Sequence, residues 1–241
     1  MVRALLAGCI ALFAGAAALA QDRHAESRRA MVEQIVAMVR AMGSATGETR
    51  IDPRVIQVMG RVPRHEFVPA GQIAYAYENR PLPIGHGQTI SQPYIVAVMS
   101  ELMRVGTDDA VLEVGTGSGY QAAVLAELGA KVSTIEIIEP LAVQAAERLR
   151  QLGYTGVRAR AGDGYHGWPE HGPFDAIMVT AAAGHVPPPL VRQLKPGGRM
   201  VIPVGPPFLA QHLVLVEKRQ DGSVSTRQLL PVRFVPLTGG H

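Results

Sequence analysis

From Asp109 onward, short apolar runs alternate with helical stretches, and this alternation restricts the chain to one class of fold. Ala110 to Val114 suits a buried strand, and Tyr120 to Leu128 a helix. Lys131 to Ile137 is the next expected strand, Pro140 to Leu152 a helix opened by proline, and Val157 to Ala161 a third strand. Phe174 to Val179 is a fourth, Pro188 to Leu194 a short helix, and Arg199 to Val204 a fifth strand. Parallel strands need crossovers of a dozen or more residues, and helices supply them while covering both faces of the sheet. The expectation is an α/β fold with a doubly wound, mostly parallel sheet. Gln211 to Glu217 and Ser225 to Phe234, joined by an Asp221-Gly222 turn, read as antiparallel strands at its C-terminal end.

The part before Asp109 has a different texture. Met31, Ile35, Met38, Val39 and Met42 recur at helical spacing between Ala25 and Met42, and Gly43-Ser44-Ala45-Thr46-Gly47 is expected to break that helix. A second short helix follows Pro53 and carries Val55, Ile56, Val58 and Met59, whereas Arg61 to Pro83 is punctuated by proline and irregular. This gives an N-terminal helical cap over 21–108 and a core over 109–241, integrated into one unit of about 25–238.

Residues 1–20 are of another kind. Arg3 precedes an apolar, Ala/Gly-rich run from Ala4 to Ala20, which ends Ala18-Leu19-Ala20 before polar Gln21, Asp22 and Arg23. That is the layout of a cleaved signal peptide. It predicts export, to the periplasm, with cleavage after Ala20 and no stable membrane association afterwards; if the segment does not function, the location is cytoplasmic. Cys9 is the one cysteine, so the cleaved chain would have no disulfide, thiolate nucleophile or cysteine-ligated metal. The eight histidines include no H-x-x-x-H or H-E-x-x-H spacing, and no metal is expected. A net charge of +3 without any block of five like charges, and only 5% aromatic residues, argue against nucleic acid as a partner.

Chemistry enters with VLEVGTGSGYQ, Val111 to Gln121. Gly115, Gly117 and Gly119 follow a buried strand and open a helix, as a nucleotide-binding loop requires. The spacing is G-x-G-x-G, with Tyr120 where the third glycine of a dinucleotide fingerprint would be, and no Gly-Lys-Ser/Thr follows. Glu136 ends the second strand 21 residues beyond Gly115, where a carboxylate can accept from both ribose hydroxyls. Glu139 is an alternative for that role. Gly162-Asp163-Gly164 follows the third strand, either as a turn or to set a carboxylate near an adenine amino group. Glu113 sits inside an apolar strand, where an unpaired charge is costly, and either orients the glycine loop or reaches a cofactor amino group. Together these describe a nucleoside site without a pyrophosphate clamp, which favours S-adenosyl-L-methionine over NAD.

Ahead of the core lies GHGQTISQPY, Gly85 to Tyr94, and with IVAVMSELM, GDGYHGW, FDAIMVTAAA, LKPGGRMVIPVG and VRFVPLT it resembles the protein-L-isoaspartate (D-aspartate) O-methyltransferase family. The resemblance runs from about Met31 to Thr238. It implies a Rossmann-like, S-adenosylmethionine-dependent methyltransferase fold with an N-terminal addition, acting as a monomer on damaged proteins or peptides that contain isoaspartate. The implied reaction methylates the α-carboxylate of an isoaspartyl or D-aspartyl residue; the ester then cyclises to a succinimide that reopens partly to normal aspartate. By position, Ser91 corresponds to the family's active-site serine, and Thr89, Ile90 and Gln92 accompany it beside the cofactor. Gly115, Thr116, Gly117, Gly119, Glu136, Gly162 and Asp163 match its nucleoside-contact motifs, and Thr238 a C-terminal contact, although the chain ends three residues later. His86 receives no role.

A carboxylate acceptor is already ionised at neutral pH and needs no general base. What remains is alignment, so Ser91 is expected to position rather than to attack. Three rivals stay in view. A dehydrogenase is disfavoured by the glycine spacing; a methyltransferase for another carboxylate has no reason to carry GQTISQP; an exported binding protein without catalysis would explain a location remote from cytosolic cofactor. Export itself is testable: chain recovered from the exported fraction should begin at Gln21 and contain no thiol. An intact Met1 form found in the cytosol would overturn it.

Overall fold

The computed structural model describes residues 23–46, 50–207 and 209–240; the expected signal segment, Met1 to Ala20, lies outside them. The chain opens with α1 (Ala25–Thr46) and α2 (Pro53–Met59), then a hairpin of β1 (Leu82–Gly85) and β2 (Gln88–Ile90), and α3 (Pro93–Met103). The core follows as β3 (Ala110–Val114), α4 (Tyr120–Glu127), β4 (Lys131–Glu136), α5 (Glu139–Gln151), β5 (Arg158–Ala161), β6 (Phe174–Val179), α6 (Pro188–Gln193), β7 (Leu194–Val204), β8 (Gln211–Lys218) and β9 (Val224–Val232).

Strands β3 to β9 form one sheet in the order β5-β4-β3-β6-β7-β8-β9. The pairs among β3 to β7 are parallel, and β8 and β9 are antiparallel additions, as the sequence predicts. The chain builds outward from β3 to β5, then crosses back to place β6 on the other side of β3. That reversal opens a crevice at the C-terminal ends of the strands, the place where such sheets bind ligands.

Both faces of the sheet are buried. Val111, Met178 and Val201 belong to one core, shared with the cap helices, while Leu112, Val114, Ile177 and Ile202 belong to the opposite core. The alternation of side chains along each strand divides them this way, and it explains why β3 and β6 read as nearly continuous apolar runs.

Several boundaries differ from the sequence reading. Helix α1 does not break at Gly43 but runs through it to Thr46; Gly43 is buried, and one glycine costs a helix only about 1 kcal/mol. The proline-punctuated stretch ends in the β1–β2 hairpin, with Leu82 opposite Ile90 and Pro83 opposite Thr89. Strand β7 starts at Leu194, not Arg199, because Leu194 pairs with Phe174 and a register shift absorbs Pro196-Gly197-Gly198. Strand β9 stops at Val232, since the Phe234 N–H donates to the Gln211 side chain at 2.9 Å instead of the ladder.

Helix α3 is buried on nearly every side, from Pro93 and Tyr94 through Leu102 and Met103. Packed against α1, α2 and β7, it leaves no polar face and so no helical periodicity to read. Its N-terminus follows directly from Ser91 and Gln92. None of the helices among the described residues is long and apolar enough to cross a membrane.

Candidate active site

The crevice holds a cleft of about 800 Å³, counting space open to solvent, walled by the glycine loop, the end of β4, the Gln88–Ser91 segment and the C-terminal tail. Gly115 turns out of β3 with φ +98°, and a Cβ there would overlap Thr180 Oγ1. Thr180 in turn donates its hydroxyl to Gly115 O at 2.6 Å. The turn is therefore closed by a side chain from β6's extension and open only to glycine. Gly115, Thr116 and Gly117 line the cleft. Gly119 does not: it caps α4 with φ +89°, and a Cβ would press on Leu149 at 3.2 Å. Its part is to let α4 pack against α5.

Glu136 is buried at the cleft wall. Its Oε2 accepts from the Gly117 N–H at 2.8 Å and its Oε1 from the Ile138 N–H at 3.0 Å. These two bonds fix the carboxylate across the glycine loop and leave each oxygen a further lone pair. Glu139 is exposed on the first turn of α5 and does not reach the cleft. The geometry chooses Glu136.

Glu113 is fully buried and also lines the cleft. The Thr134 hydroxyl donates to its Oε2 at 2.6 Å. The Thr116 and Thr134 hydroxyls lie 2.6 Å apart. Oε1 has no partner among the described residues. Burial, opposed by the Thr134 bond and reinforced by the Glu136 charge, pushes the carboxyl up to about 8. At neutral pH it carries a proton.

The other wall comes from the cap. Arg64 is completely buried; its Nε donates to Ala76 O at 2.8 Å and its Nη2 to Ser91 O at 2.6 Å. The guanidinium lies 4.8 Å from the ring centroid of Tyr120, the residue that opens α4. Asn79 adds two further ties: its Oδ1 accepts from the Tyr94 N–H at 3.0 Å, and its carbonyl accepts from Gln92 Nε2 at 2.9 Å. Ser91 and Tyr94 are thus held by their backbone and Gln92 by its side chain. Sequence reasoning missed Arg64 and Asn79, because each acts through backbone groups far along the chain and belongs to no local motif; Thr180 lies within FDAIMVTAAA but received no role.

A second cleft, of about 990 Å³, adjoins the first. Thr89, Ser91, Thr180 and Val235 line both. Ile90 faces only the first and Gln92 only the second, so Gln92 sits on the far side of Ser91 from the glycine loop. Thr238 lines the first cleft. Gly162 and Asp163 stand just outside it: Gly162 N–H donates to Glu136 O at 2.9 Å, and Asp163 accepts from the N–H groups of Tyr165 at 2.9 Å and Gly240 at 3.1 Å. Gly164, next to them, does line it. His86 is exposed at the hairpin tip. Among the described residues no group of three or more His, Cys, Asp or Glu could hold a metal ion.

The raised Glu113 has a consequence for stability. Between the ordinary value of 4.5 and about 8, the folded chain keeps a proton that the unfolded chain has lost, so stability falls as pH rises through that window. Glu113→Gln removes the titration. The variant's melting temperature should gain on the original protein's as pH rises from 5 to 8 and level off beyond; a pH-independent difference would contradict the assignment.

The family profile of protein-L-isoaspartate(D-aspartate) O-methyltransferase (PCMT) matches residues 35–241. Protein-L-isoaspartate O-methyltransferase 2 of Syntrophobacter fumaroxidans is 65% identical over 227 residues, 94% of this chain and 92% of its own. Protein-L-isoaspartate O-methyltransferase 1 of Cupriavidus necator is 66% identical over 222 residues, 92% of this chain and 86% of its own. A solved protein-L-isoaspartate O-methyltransferase superposes with TM-score 0.75 at 28% identity, covering 86% of this chain and 66% of that longer one. The same fold is seen at TM-score 0.69 and 24% identity in a Plasmodium falciparum structure with S-adenosyl-L-homocysteine, over 85% of this chain and 97% of that one. With its whole core matched and two relatives near two-thirds identity, this chain belongs to the protein-L-isoaspartate(D-aspartate) O-methyltransferase family.

Proposed function

We propose that this chain transfers a methyl group from S-adenosyl-L-methionine to the α-carboxylate of isoaspartyl, and D-aspartyl, residues in damaged proteins, initiating their repair. One observation carries the reading: Ser91 and Thr89 stand on the wall shared by two clefts, one with a glycine cradle and two buried carboxyls, the other an open groove. Two reactants held in the two clefts would meet at that wall.

The residues present fit the cofactor. The Gly115 turn brings backbone to the cleft without a Cβ, Glu136 has lone pairs to spare for two hydroxyls, and Glu113 Oε1 is a buried polar atom without a protein partner. A buried carboxyl oxygen left unsatisfied is costly, and an amino group would satisfy it. Bound there, S-adenosyl-L-methionine supplies a methyl group on a sulfonium centre that departs as a neutral thioether. The chain's own task is to bring a carboxylate oxygen into line and to exclude water. Ser91 donates its hydroxyl to the carboxylate oxygen that does not attack, leaving the other free. Arg64 keeps that serine in place through its carbonyl.

Residues 1–20 support the further reading that the chain is exported to the periplasm, with cleavage after Ala20.

Two variants separate the roles. Glu136→Ala should weaken cofactor binding by about 2–3 kcal/mol, the worth of lost bonds to a charged group, whereas Glu139→Ala should do far less. Calorimetric titration of both would reverse the assignment if Glu139 proved the sensitive position. Ser91→Ala should lower kcat and kcat/KM together, by on the order of tenfold to a hundredfold, while cofactor affinity stays within a few-fold. Unchanged kinetics would make the hydroxyl a loop contact, and a methylated enzyme intermediate seen by intact mass would exclude direct transfer.

A further inference from the structure

The second cleft has an uneven chemical character. Most of its lining is apolar, including Ile95, Pro231, Val232 and Phe234; Thr89, Ser91, Gln92 and Thr180 are neutral. Among the described residues that line it, Arg233 is the one ionisable group. Its side chain is exposed, and no salt bridge ties it to a carboxylate among the described residues. Its backbone is fixed from both sides, since Val232 pairs with Gln211 and the Phe234 N–H donates to Gln211 Oε1 at 2.9 Å. Gln211 itself is buried. The result is an anchored backbone carrying a free cation into a groove that is otherwise uncharged.

Where that cation lies relative to the transfer point decides what it meets. The acceptor carboxylate has to reach the wall common to the two clefts, where Ser91, Thr89, Thr180 and Val235 stand. Arg233 lines only the second cleft and takes no part in the first. A peptide whose acceptor carboxylate rests at Ser91 therefore presents some other part of itself to Arg233. A guanidinium in such a position favours carboxylate partners, which it can hold through two parallel hydrogen bonds.

Resting on the function proposed above, we infer that Arg233 is a specificity-determining residue that selects isoaspartyl peptides carrying a second carboxylate beside the acceptor residue. That carboxylate comes from an acidic side chain flanking the isoaspartate or from the peptide's own C-terminus. Because the pair is accessible to solvent, its effect is a preference and not a requirement, in the range of about two- to fivefold for an exposed ion pair. It weakens as salt screens it.

The test uses the full mature chain and synthetic isoaspartyl peptides with amidated C-termini, alike except for Glu, Gln or Lys on either side of the isoaspartate. A fourth peptide is the Gln peptide with a free C-terminal carboxylate, which separates the two sources of charge. Methylation by the original protein should give kcat/KM in the order Glu, Gln, Lys, with about two- to fivefold between Glu and Gln, carried mainly by KM and diminished at high salt. Arg233→Gln should flatten the order and Arg233→Glu should invert it. Equal ratios in all three proteins would overturn the assignment of Arg233 while leaving the methyltransferase reading intact. Failure of the original protein to methylate any of the peptides would overturn that reading, and the proposal with it.

Discussion

The site depends first on a buried cation. Among the described residues Arg64 has no carboxylate partner; it is held by two backbone carbonyls, Ala76 O and Ser91 O, and by the face of the Tyr120 ring. Burial lowers its pKa to about 10, the Tyr120 interaction opposing the fall, so it stays charged at neutral pH. A buried charge is tolerated only where its donors are used, and removing its partners is expensive. The two carbonyls and the ring come from three separate places: the irregular part of the cap, the serine loop, and the helix after the glycine turn. One guanidinium thus obliges the cap to close on the core in a single way, with Ser91 facing the cofactor cleft. Its Nη1 finds no partner among the described residues, a polar cost carried at the spot where the loop has to be held hardest.

The two buried carboxyls beside the glycine turn illustrate how environment divides labour between identical chemistry. Glu136 is fed by two N–H donors, which lock its plane. Glu113, one strand over, receives a single hydroxyl and keeps its proton at neutral pH. Its register on the sheet causes the difference. Glu136 ends β4, where strand gives way to loop and spare N–H groups are available. Glu113 lies inside β3, between two parallel neighbours whose backbone groups are committed to the ladder. Only side chains can serve it there, and Thr134 opposite it is one.

How far the sequence could be read follows from the range of each interaction. The parallel core was legible because its strands and helices are local and strongly patterned, and because Gly115 answers a local demand of the turn. Ser91, Glu136 and Thr238 were named by motif, and all three line the first cleft. Gly119 belonged to the same motif, yet it does not line the cleft and lies against Leu149. Helix α3 was unreadable because burial on all sides erases periodicity. Arg64 and Asn79 were hidden for the opposite reason. The side chain of each bonds backbone groups 12 or more positions away, carbonyls for Arg64 and the Tyr94 N–H for Asn79, and a backbone group has no side-chain identity to show in a sequence.

The walls of the two clefts differ in what fixes them. On the cap side, Ser91 is held by a buried guanidinium and its neighbours by Asn79, all linked to packed core. On the opposite side, the segment from Val235 to Thr238 hangs on backbone bonds: Ala182 N–H to Val235 O at 2.8 Å, Leu237 N–H to Ala182 O at 2.7 Å, and then Gly240 N–H to Asp163. A neutral backbone bond contributes about 0.5–1.5 kcal/mol net, far less than the disruption of a buried charge. The cap-side wall therefore sets the geometry of transfer, and the tail-side wall conforms to it. Asp163 sits where these demands meet, its carboxylate engaged by the tail and by Tyr165 just beyond the cofactor cleft. Val235 lines both clefts, so any shift of the tail that reshapes the first reshapes the second too. The cap side has no such freedom, and it is there that Ser91 resides.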